Sequence, residues 1–300
     1  SDNNTKVTFY YDKNRAEREG IALGSSDEWG NHVSEITTAV FDNSFADYTS
    51  LTSTARWFNR LNNLKTITGL DKVKTDNVRD MEAMFAECSS LKNLDVSTFV
   101  TKNVKNMRYM FYNCSGMRRL DLTNFNTGKL TDMYRMFNGC FAMRVIFAGQ
   151  DWTTEKVTSG EEVFDDCINI VGGETTTYSA DHTDYTYARI DGGYETDKAG
   201  YFTLKDKIEA MMSDLLKRHE QIKAEMETIV MKLYDKDPER KAEELWAMCA
   251  DAESYIYEVE KRIQVAETSI DQNECLKRQQ EIMMMLEELA WRVEQYQPGT

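Results

Sequence analysis

The amino-acid sequence predicts an α/β solenoid of short repeats followed by an all-α bundle. Four segments end in one motif: Met84-Phe85-x-x-Cys88, Met110-Phe111-x-x-Cys114, Met136-Phe137-x-x-Cys140 and Val163-Phe164-x-x-Cys167. Their phenylalanines lie 26, 26 and 27 residues apart, and Phe58 continues the series 27 residues earlier. A fixed period of this size is typical of a solenoid, because each repeat is too small to bury its own apolar face. From residue 204 to residue 298 glycine is absent and apolar residues recur in steps of three and four, which predicts amphipathic helices.

A second apolar pattern follows each Phe-x-x-Cys motif. It reads Leu64-x-x-Ile67, Leu91-x-x-Leu94-x-Val96, Met117-x-x-Leu120-x-Leu122 and Met143-x-x-Ile146. The alternation at its end predicts a short, half-buried strand, and the L-x-x-L-x-L spacing is the signature of leucine-rich repeats. In the last repeat we expect Phe147 at the third inward position, where Val96 and Leu122 stand in the earlier repeats.

A third pattern leads from each strand to the next Phe-x-x-Cys motif. It reads Val78-x-x-Met81-x-x-Met84, Val104-x-x-Met107-x-x-Met110 and Leu130-x-x-Met133-x-x-Met136. Steps of three place these apolar residues on one stripe of a short helical or 3₁₀ segment. One repeat is therefore predicted to consist of a strand, a turn and a helical return, with about five repeats of 26–27 residues in residues 51–171.

The repeated phrases resemble those of a known family. Residues 91–99, LKNLDVSTF, and residues 106–115, NMRYMFYNCS, are similar to repeats of the BspA-like leucine-rich-repeat surface proteins of bacteria. The resemblance extends to an N-terminal cap in residues 1–50 and a C-terminal cap in residues 172–203. It implies a leucine-rich-repeat fold, removal of a signal segment before Ser1, secretion or anchoring at the bacterial cell surface, and adhesion-type binding. It implies no particular ligand.

Residues 204–300 are predicted to form a second domain, an all-α three-helix bundle or coiled coil. Pro238 is expected to separate the first helix from the second, and Asp271-x-x-Glu274 resembles the start of a third. The alternative is one long helix over residues 238–297. Met283-Met284-Met285 and Trp291 either pack partly into the bundle core or form a face for self-association.

Four of the six cysteines share one repeat position and are expected to form a column: Cys88, Cys114, Cys140 and Cys167. We interpret them as small buried side chains that close each turn, since Leu61 holds the equivalent position one repeat earlier. Disulfide bridging of neighbouring repeats is the alternative. A zinc site is not expected, because the spacing differs from Cys-x-x-Cys and the three histidines are scattered.

The composition limits the class of partner. The chain has 36 Lys and Arg against 51 Asp and Glu, a net charge of −15, and both predicted domains are acidic. This argues against nucleic acid or an anionic membrane as a general partner. No run of 18 apolar residues is present, so we expect the chain as given to be soluble. No known catalytic or phosphate-binding motif occurs, so neither enzymatic activity nor a cofactor or metal is expected.

The predicted binding surface is the outward face of the repeat strands. The leucines of L-x-x-L-x-L point inward, and the intervening positions of successive repeats stack about 4.8 Å apart. Their columns are Lys65, Lys92, Arg118 and Arg144; Thr66, Asn93, Arg119 and Val145; and Thr68, Asp95, Asp121 and either Phe147 or Ala148. Like charges opposite one another are destabilising, so either the aspartates or an anionic partner must balance the cations.

Eight residues of these columns are the candidate ligand-binding residues: Lys65, Lys92, Asn93, Asp95, Arg118, Arg119, Asp121 and Arg144. The sequence therefore favours a secreted or cell-surface protein that binds a protein or acidic glycan of a host or neighbouring cell. The alternative is a structural or assembly protein, in which residues 204–300 self-associate or dock and the solenoid is a rigid spacer.

Overall fold

The computed structural model describes residues 5–12, 29, 32–193 and 197–297. The chain divides into two compact units, Ser1–Lys205 and Asp206–Thr300. Within the described residues, the first unit is a β-solenoid of about four turns and the second contains three α-helices. The predicted solenoid is thus confirmed. Much of the predicted N-terminal cap (residues 1–4, 13–28 and 30–31) lies outside the described residues.

The described part of the solenoid contains two parallel three-stranded sheets on one side of the turns. The first sheet consists of β1 (Lys6–Phe9), β2 (Thr38–Phe41) and β3 (Thr66–Thr68), in that order. The second consists of β4 (Arg119–Leu122), β5 (Val145–Ala148) and β6 (Phe202–Thr203). Strands from both predicted caps therefore continue the strands of the repeats. Short 3₁₀ segments lie at Asn43–Asp47, Leu70–Lys72 and Tyr185–Tyr187.

The register of the last repeat corrects one expectation. Asp121 lies opposite Phe147, and Leu122 lies opposite Ala148. Phe147 therefore does not take the third inward position, because strict alternation along β5 gives that position to Ala148. Phe147 continues the column of Asp121 instead, although it is fully buried.

The segments predicted as helical returns are not helices. In the second repeat, the N–H groups of Ala83 and Phe85 donate to the carbonyl oxygens of Arg108 and Met110 on the next turn, each at 2.9 Å. Ala83 and Glu87 have positive φ angles of 50° and 62°, which turn alternate peptide groups toward the neighbouring repeat. An apolar period of three suggested a helix, but stacked repeats supply hydrogen-bond partners between turns that an isolated segment lacks.

A column of stacked phenylalanines forms the centre of the solenoid core. Phe58, Phe85, Phe111, Phe137 and Phe164 are fully buried, with successive ring centroids 5.4, 5.7, 5.6 and 5.5 Å apart. Their rings are within 13° of parallel. Each ring thus packs against its counterparts on adjacent turns, which couples the repeats through apolar contact.

The four repeat cysteines form the predicted column and are free thiols. Each Sγ approaches the carbonyl oxygen of the stacked phenylalanine one turn earlier, for example Cys114 Sγ to Phe85 O at 3.1 Å and Cys140 Sγ to Phe111 O at 3.1 Å. Burial raises the pKa of Cys88 and favours the protonated thiol that donates this bond. The interpretation of these cysteines as small buried residues is confirmed. Each thiol also donates a hydrogen bond to a backbone carbonyl oxygen inside the core.

The second unit contains α1 (Lys205–Lys236, whose first residue belongs to the first unit), α2 (Glu243–Val265) and α3 (Ser269–Gln295). They pack around one apolar core. The alternative of a single helix over residues 238–297 is wrong, because the chain leaves the helical conformation at Ala266. The capping box at the start of α3 is formed by Thr268 and Asp271, not by Asp271 and Glu274.

Candidate binding groove

The strand side of the solenoid is interrupted at its middle repeat. Strands β3 and β4 are edge strands of their sheets, and residues 91–96, between them in the repeat order, form no strand. No backbone hydrogen bond joins residues 92–95 to any other described residue. Their sequence, Lys-Asn-Leu-Asp, has no β-branched or aromatic side chain, whereas the paired strand β5 reads Val-Ile-Phe-Ala. Low β propensity is not a sufficient cause of the interruption, because β4, Arg-Leu-Asp-Leu, also lacks such side chains and still pairs with β5.

A groove of about 480 Å³ lies at this interruption. Its lining residues come from β3 and the residue before it, from the unpaired segment and from β4: Lys65, Thr66, Ile67, Asn93, Leu94, Asp95, Arg119 and Asp121. Five of the eight candidate residues are among them, namely Lys65, Asn93, Asp95, Arg119 and Asp121. The other three, Lys92, Arg118 and Arg144, belong to the same surface but not to the groove lining. Three parts of the chain separated by about one repeat each thus meet at one site.

The cations of the groove differ in their surroundings. The guanidinium carbon of Arg119 lies 4.5 Å from the centroid of the Phe147 ring, a cation–π distance that fixes the side chain over a buried aromatic residue. Lys65 and Lys92 are exposed, and among the described residues no acidic side chain forms an ion pair with either of them. Two ammonium groups on this surface are therefore available to an anion.

The two carboxylates of the groove are not equivalent. Asp121 Oδ2 lies 2.8 Å from Nζ of Lys205, so this negative charge is compensated within the first unit. Asp95 Oδ1 accepts a hydrogen bond of 2.9 Å from the backbone N–H of Ser97. Hydrogen bonds from the side chain and backbone of Ser97 lower the pKa of Asp95, so it is ionised at neutral pH. With Asp121 paired to Lys205, the lining presents two cations against one carboxylate.

Sequence reasoning missed four residues of this site. Thr66 was placed in a surface column without a role, while Ile67 and Leu94 were assigned to the core; both are half-buried and reach the groove. Lys205 follows Asp121 by 84 positions, and no local pattern connects the two. The equivalent residues 118–121, Arg-Arg-Leu-Asp, lack β-branched and aromatic side chains just as residues 92–95 do, so β propensity did not point to the interruption.

A second polar surface lies on the turn side. Tyr109 makes edge-to-face contacts with Tyr112 and Tyr134, each with centroids 5.4 Å apart. The guanidinium groups of Arg108 and Arg135 lie 5.6 and 5.1 Å from the Tyr134 ring centroid. These half-buried rings are engaged with one another and with arginine, so they form a packed surface layer without an open recess.

Among the described residues, no group of three or more His, Cys, Asp or Glu side chains is placed to hold a metal ion. No helix in the described parts of the chain combines the length and apolar character needed to cross a membrane.

The fold and the groove define a parallel β-solenoid with a polar recess on its strand face. Residues 46–175 match a family described as "Mycoplasma protein of unknown function, DUF285", and this segment includes the repeats and the groove but not the helical unit. No curated protein and no solved structure gives a significant match. The family description assigns no function, so any functional conclusion rests on the groove itself.

Proposed function

We propose that this chain is a non-enzymatic binding protein of the BspA-like leucine-rich-repeat type, secreted or displayed at a bacterial cell surface. It recognises an anionic group of a host or neighbouring-cell macromolecule through the groove between β3 and β4. Support for the surface location comes from the resemblance of the repeats to bacterial surface proteins. Support for binding comes from the groove.

The observation that carries the proposal is the excess of positive charge in the groove of an acidic protein. Lys65, directly before β3, and Arg119, on β4, line the groove; Lys92 stands beside it, and Lys205 compensates Asp121. The chain as a whole carries a net charge of −15, so an anion is repelled by the protein in general and attracted by the cations of this surface. Such an arrangement selects a partner that presents a negative charge in a defined position.

The test is binding of the full chain to immobilised poly-L-glutamate and heparin, with neutral dextran as the uncharged probe. We expect binding to at least one anionic probe that weakens as salt increases, because exposed charges are screened. The double variant Lys65→Glu/Arg119→Glu should lose binding, whereas Lys74→Glu/Lys156→Glu makes the same charge change outside the groove and should retain most of it. Equal losses in both double variants would mean that binding depends on net charge and not on the groove.

A second candidate function is self-association through the helical unit. Met284 and Trp291 lie seven residues apart on α3, and their exposed fractions are 71% and 61%. Residues at this spacing share one helix face, so the two side chains form an exposed apolar stripe. Sedimentation of the full chain decides this point: Trp291→Lys should dissociate an oligomer, while Met231→Lys on α1, at a residue 69% exposed, should not. A monomeric wild-type chain excludes self-association through this stripe.

A further inference from the structure

We propose that the ligand of the groove is an extended acidic polypeptide segment whose main chain hydrogen-bonds to residues 92–95. This inference rests on the proposed function and adds the chemical class of the ligand. The peptide would supply the strand pairing that the middle repeat lacks.

The first support is the set of unpaired backbone groups. Residues 92–95 present four consecutive N–H donors and four C=O acceptors with no backbone partner in the part of the chain that the structure describes. The adjoining strands β3 and β4 are each hydrogen-bonded on one side only. At the equivalent position of the last two repeats, neighbouring turns are linked by backbone hydrogen bonds, for example Arg144 N–H to Arg118 O at 2.8 Å. Unpaired main-chain groups are the feature that β-augmentation uses, because main-chain pairing supplies affinity independent of side chains.

The second support is the distribution of side chains around these backbone groups. Lys65 and Arg119 stand on either side of the unpaired segment, and the half-buried Ile67 and Leu94 lie in the same lining. An extended peptide points successive side chains in opposite directions, so one set of alternate residues faces the groove. Acidic side chains in that set meet the two cations, and an apolar side chain between them contacts Ile67 or Leu94.

The third support is the carboxylate of Asp95, which favours a peptide over an acidic glycan. Asp95 lies in the groove lining and has no ion-pair partner among the described residues, and its neighbour Asp121 is compensated by Lys205. A polyanion with a charge on every unit brings negative groups close to Asp95, and like charges repel. A peptide instead places its acids at Lys65 and Arg119 and offers backbone N–H donors to Asp95.

The experiment compares two peptides of identical side chains and charge on the full chain. The probe is an acetylated and amidated octapeptide of alternating valine and glutamate with a fluorescent label, measured by fluorescence anisotropy. The matched probe is the same octapeptide methylated on the backbone nitrogen of every residue, which removes the hydrogen-bond donors of both strand edges without changing charge. We expect the unmethylated peptide to bind at least tenfold more tightly, because N-methylation prevents strand pairing. Heparin is measured in parallel.

Two variants locate the binding. Asn93→Pro removes one N–H of the unpaired segment and should weaken peptide binding by a larger factor than heparin binding. Lys65→Glu/Arg119→Glu should abolish the binding of both anionic probes. The thermal unfolding midpoint of each variant shows that the fold is retained.

The outcomes separate this inference from the proposed function. Equal affinity of the methylated and unmethylated peptides overturns main-chain pairing, as does binding of heparin without binding of the peptide. In both cases the anionic specificity of the groove stands. If neither peptide nor heparin binds, or if binding is insensitive to Lys65→Glu/Arg119→Glu, both the inference and the proposed function fail.

Discussion

Nζ of Lys205 lies 2.8 Å from Oδ2 of Asp121, across 84 positions of sequence. Burial alone would raise the pKa of Asp121, but hydrogen bonds from Lys205 and Thr123 outweigh it and the pKa is lowered. Asp121 is therefore ionised at neutral pH and its charge is compensated by the ammonium group. This ion pair sets the charge balance of the groove, because without it the lining would carry as many carboxylates as cations.

The first prediction concerns this ion pair. Lys205→Met leaves Asp121 as an uncompensated negative charge in the groove, so the affinity for poly-L-glutamate should fall by about threefold to tenfold at low salt. The double variant Lys205→Met/Asp121→Asn removes both charges and should restore affinity to near the wild-type value. Binding isotherms of the wild type, the single variant and the double variant with poly-L-glutamate measure how far the effect of Lys205 depends on Asp121. An affinity that stays low in the double variant would show that Lys205 itself touches the ligand.

The second prediction compares proline at equivalent positions of two repeats. Asn93 makes no backbone hydrogen bond, whereas the N–H of Val145 donates to Arg118 O at 3.3 Å in the central strand of its sheet. Val145→Pro removes that bond and places proline between two paired strands, so we expect a loss of at least about 2 kcal/mol in the free energy of unfolding.

Asn93→Pro should instead change the free energy of unfolding by less than about 1 kcal/mol, since no protein hydrogen bond is lost. Urea unfolding of both variants, followed by tryptophan fluorescence, makes the comparison. If Asn93→Pro is as damaging as Val145→Pro, then residues 92–95 take part in the ladder in solution and the interruption is not a property of the folded chain.

The third prediction tests the phenylalanine column. Phe111 is fully buried between Phe85 and Phe137, with ring centroids 5.7 and 5.6 Å away. Phe111→Ala leaves a cavity and removes two stacking contacts, so the free energy of unfolding should fall by about 3–5 kcal/mol. Phe141 is 45% exposed and provides the matched control; Phe141→Ala should change it by no more than about 0.5 kcal/mol. Denaturant titration measures both, and similar losses would contradict the proposed role of the column.

The repeat core was predictable from sequence because the residues of each stacked column recur at a fixed period. The positions of Phe85, Phe111 and Cys114 followed from spacing alone, since stacked turns place equivalent residues in contact. The conformation between these positions did not follow. Steps of three apolar residues fit a 3₁₀ stripe, and only the neighbouring turn decides that the N–H of Ala83 pairs with Arg108 O instead.

The groove was predictable in part. Its columns of charge could be read from the strand pattern, but the interruption of the sheet depends on whether three neighbouring repeats pair, and that is not a local property. The contacts of Thr101 and Thr127 could not be predicted from local sequence either. Thr101 Oγ1 accepts a hydrogen bond of 2.8 Å from Asn126 N–H, and Thr127 Oγ1 accepts one of 2.6 Å from Thr153 N–H, each one turn further on. Each buried hydroxyl joins two repeats, yet in the sequence these threonines look like ordinary turn residues.

The last prediction concerns His219, which is buried in the helical unit with 2% of its surface exposed. Neither ring nitrogen has a hydrogen-bond partner in the described part of the chain. Burial lowers the pKa of His219 below its usual value of 6.5, with Lys223 acting in the same direction and Glu260 and Glu220 opposing it. The unfolded chain therefore binds a proton near pH 6.5 that the folded chain resists, and the free energy of unfolding should fall as the pH drops below about 6.5.

His219→Leu removes both this acid sensitivity and the unsatisfied polar atoms. The variant should be roughly 1–2 kcal/mol more stable than the wild type at pH 7, because buried polar atoms without partners are costly. Its advantage should grow between pH 7 and pH 5, as the wild type loses stability and the variant does not. The helical signal in circular dichroism follows this unit, and His182→Leu, at an exposed histidine of the solenoid, is the control. If the stability of His219→Leu and that of the wild type fall in parallel with acid, the pKa of His219 is the same in the folded and unfolded chain, and a nearby carboxylate such as Glu260 offsets the effect of burial.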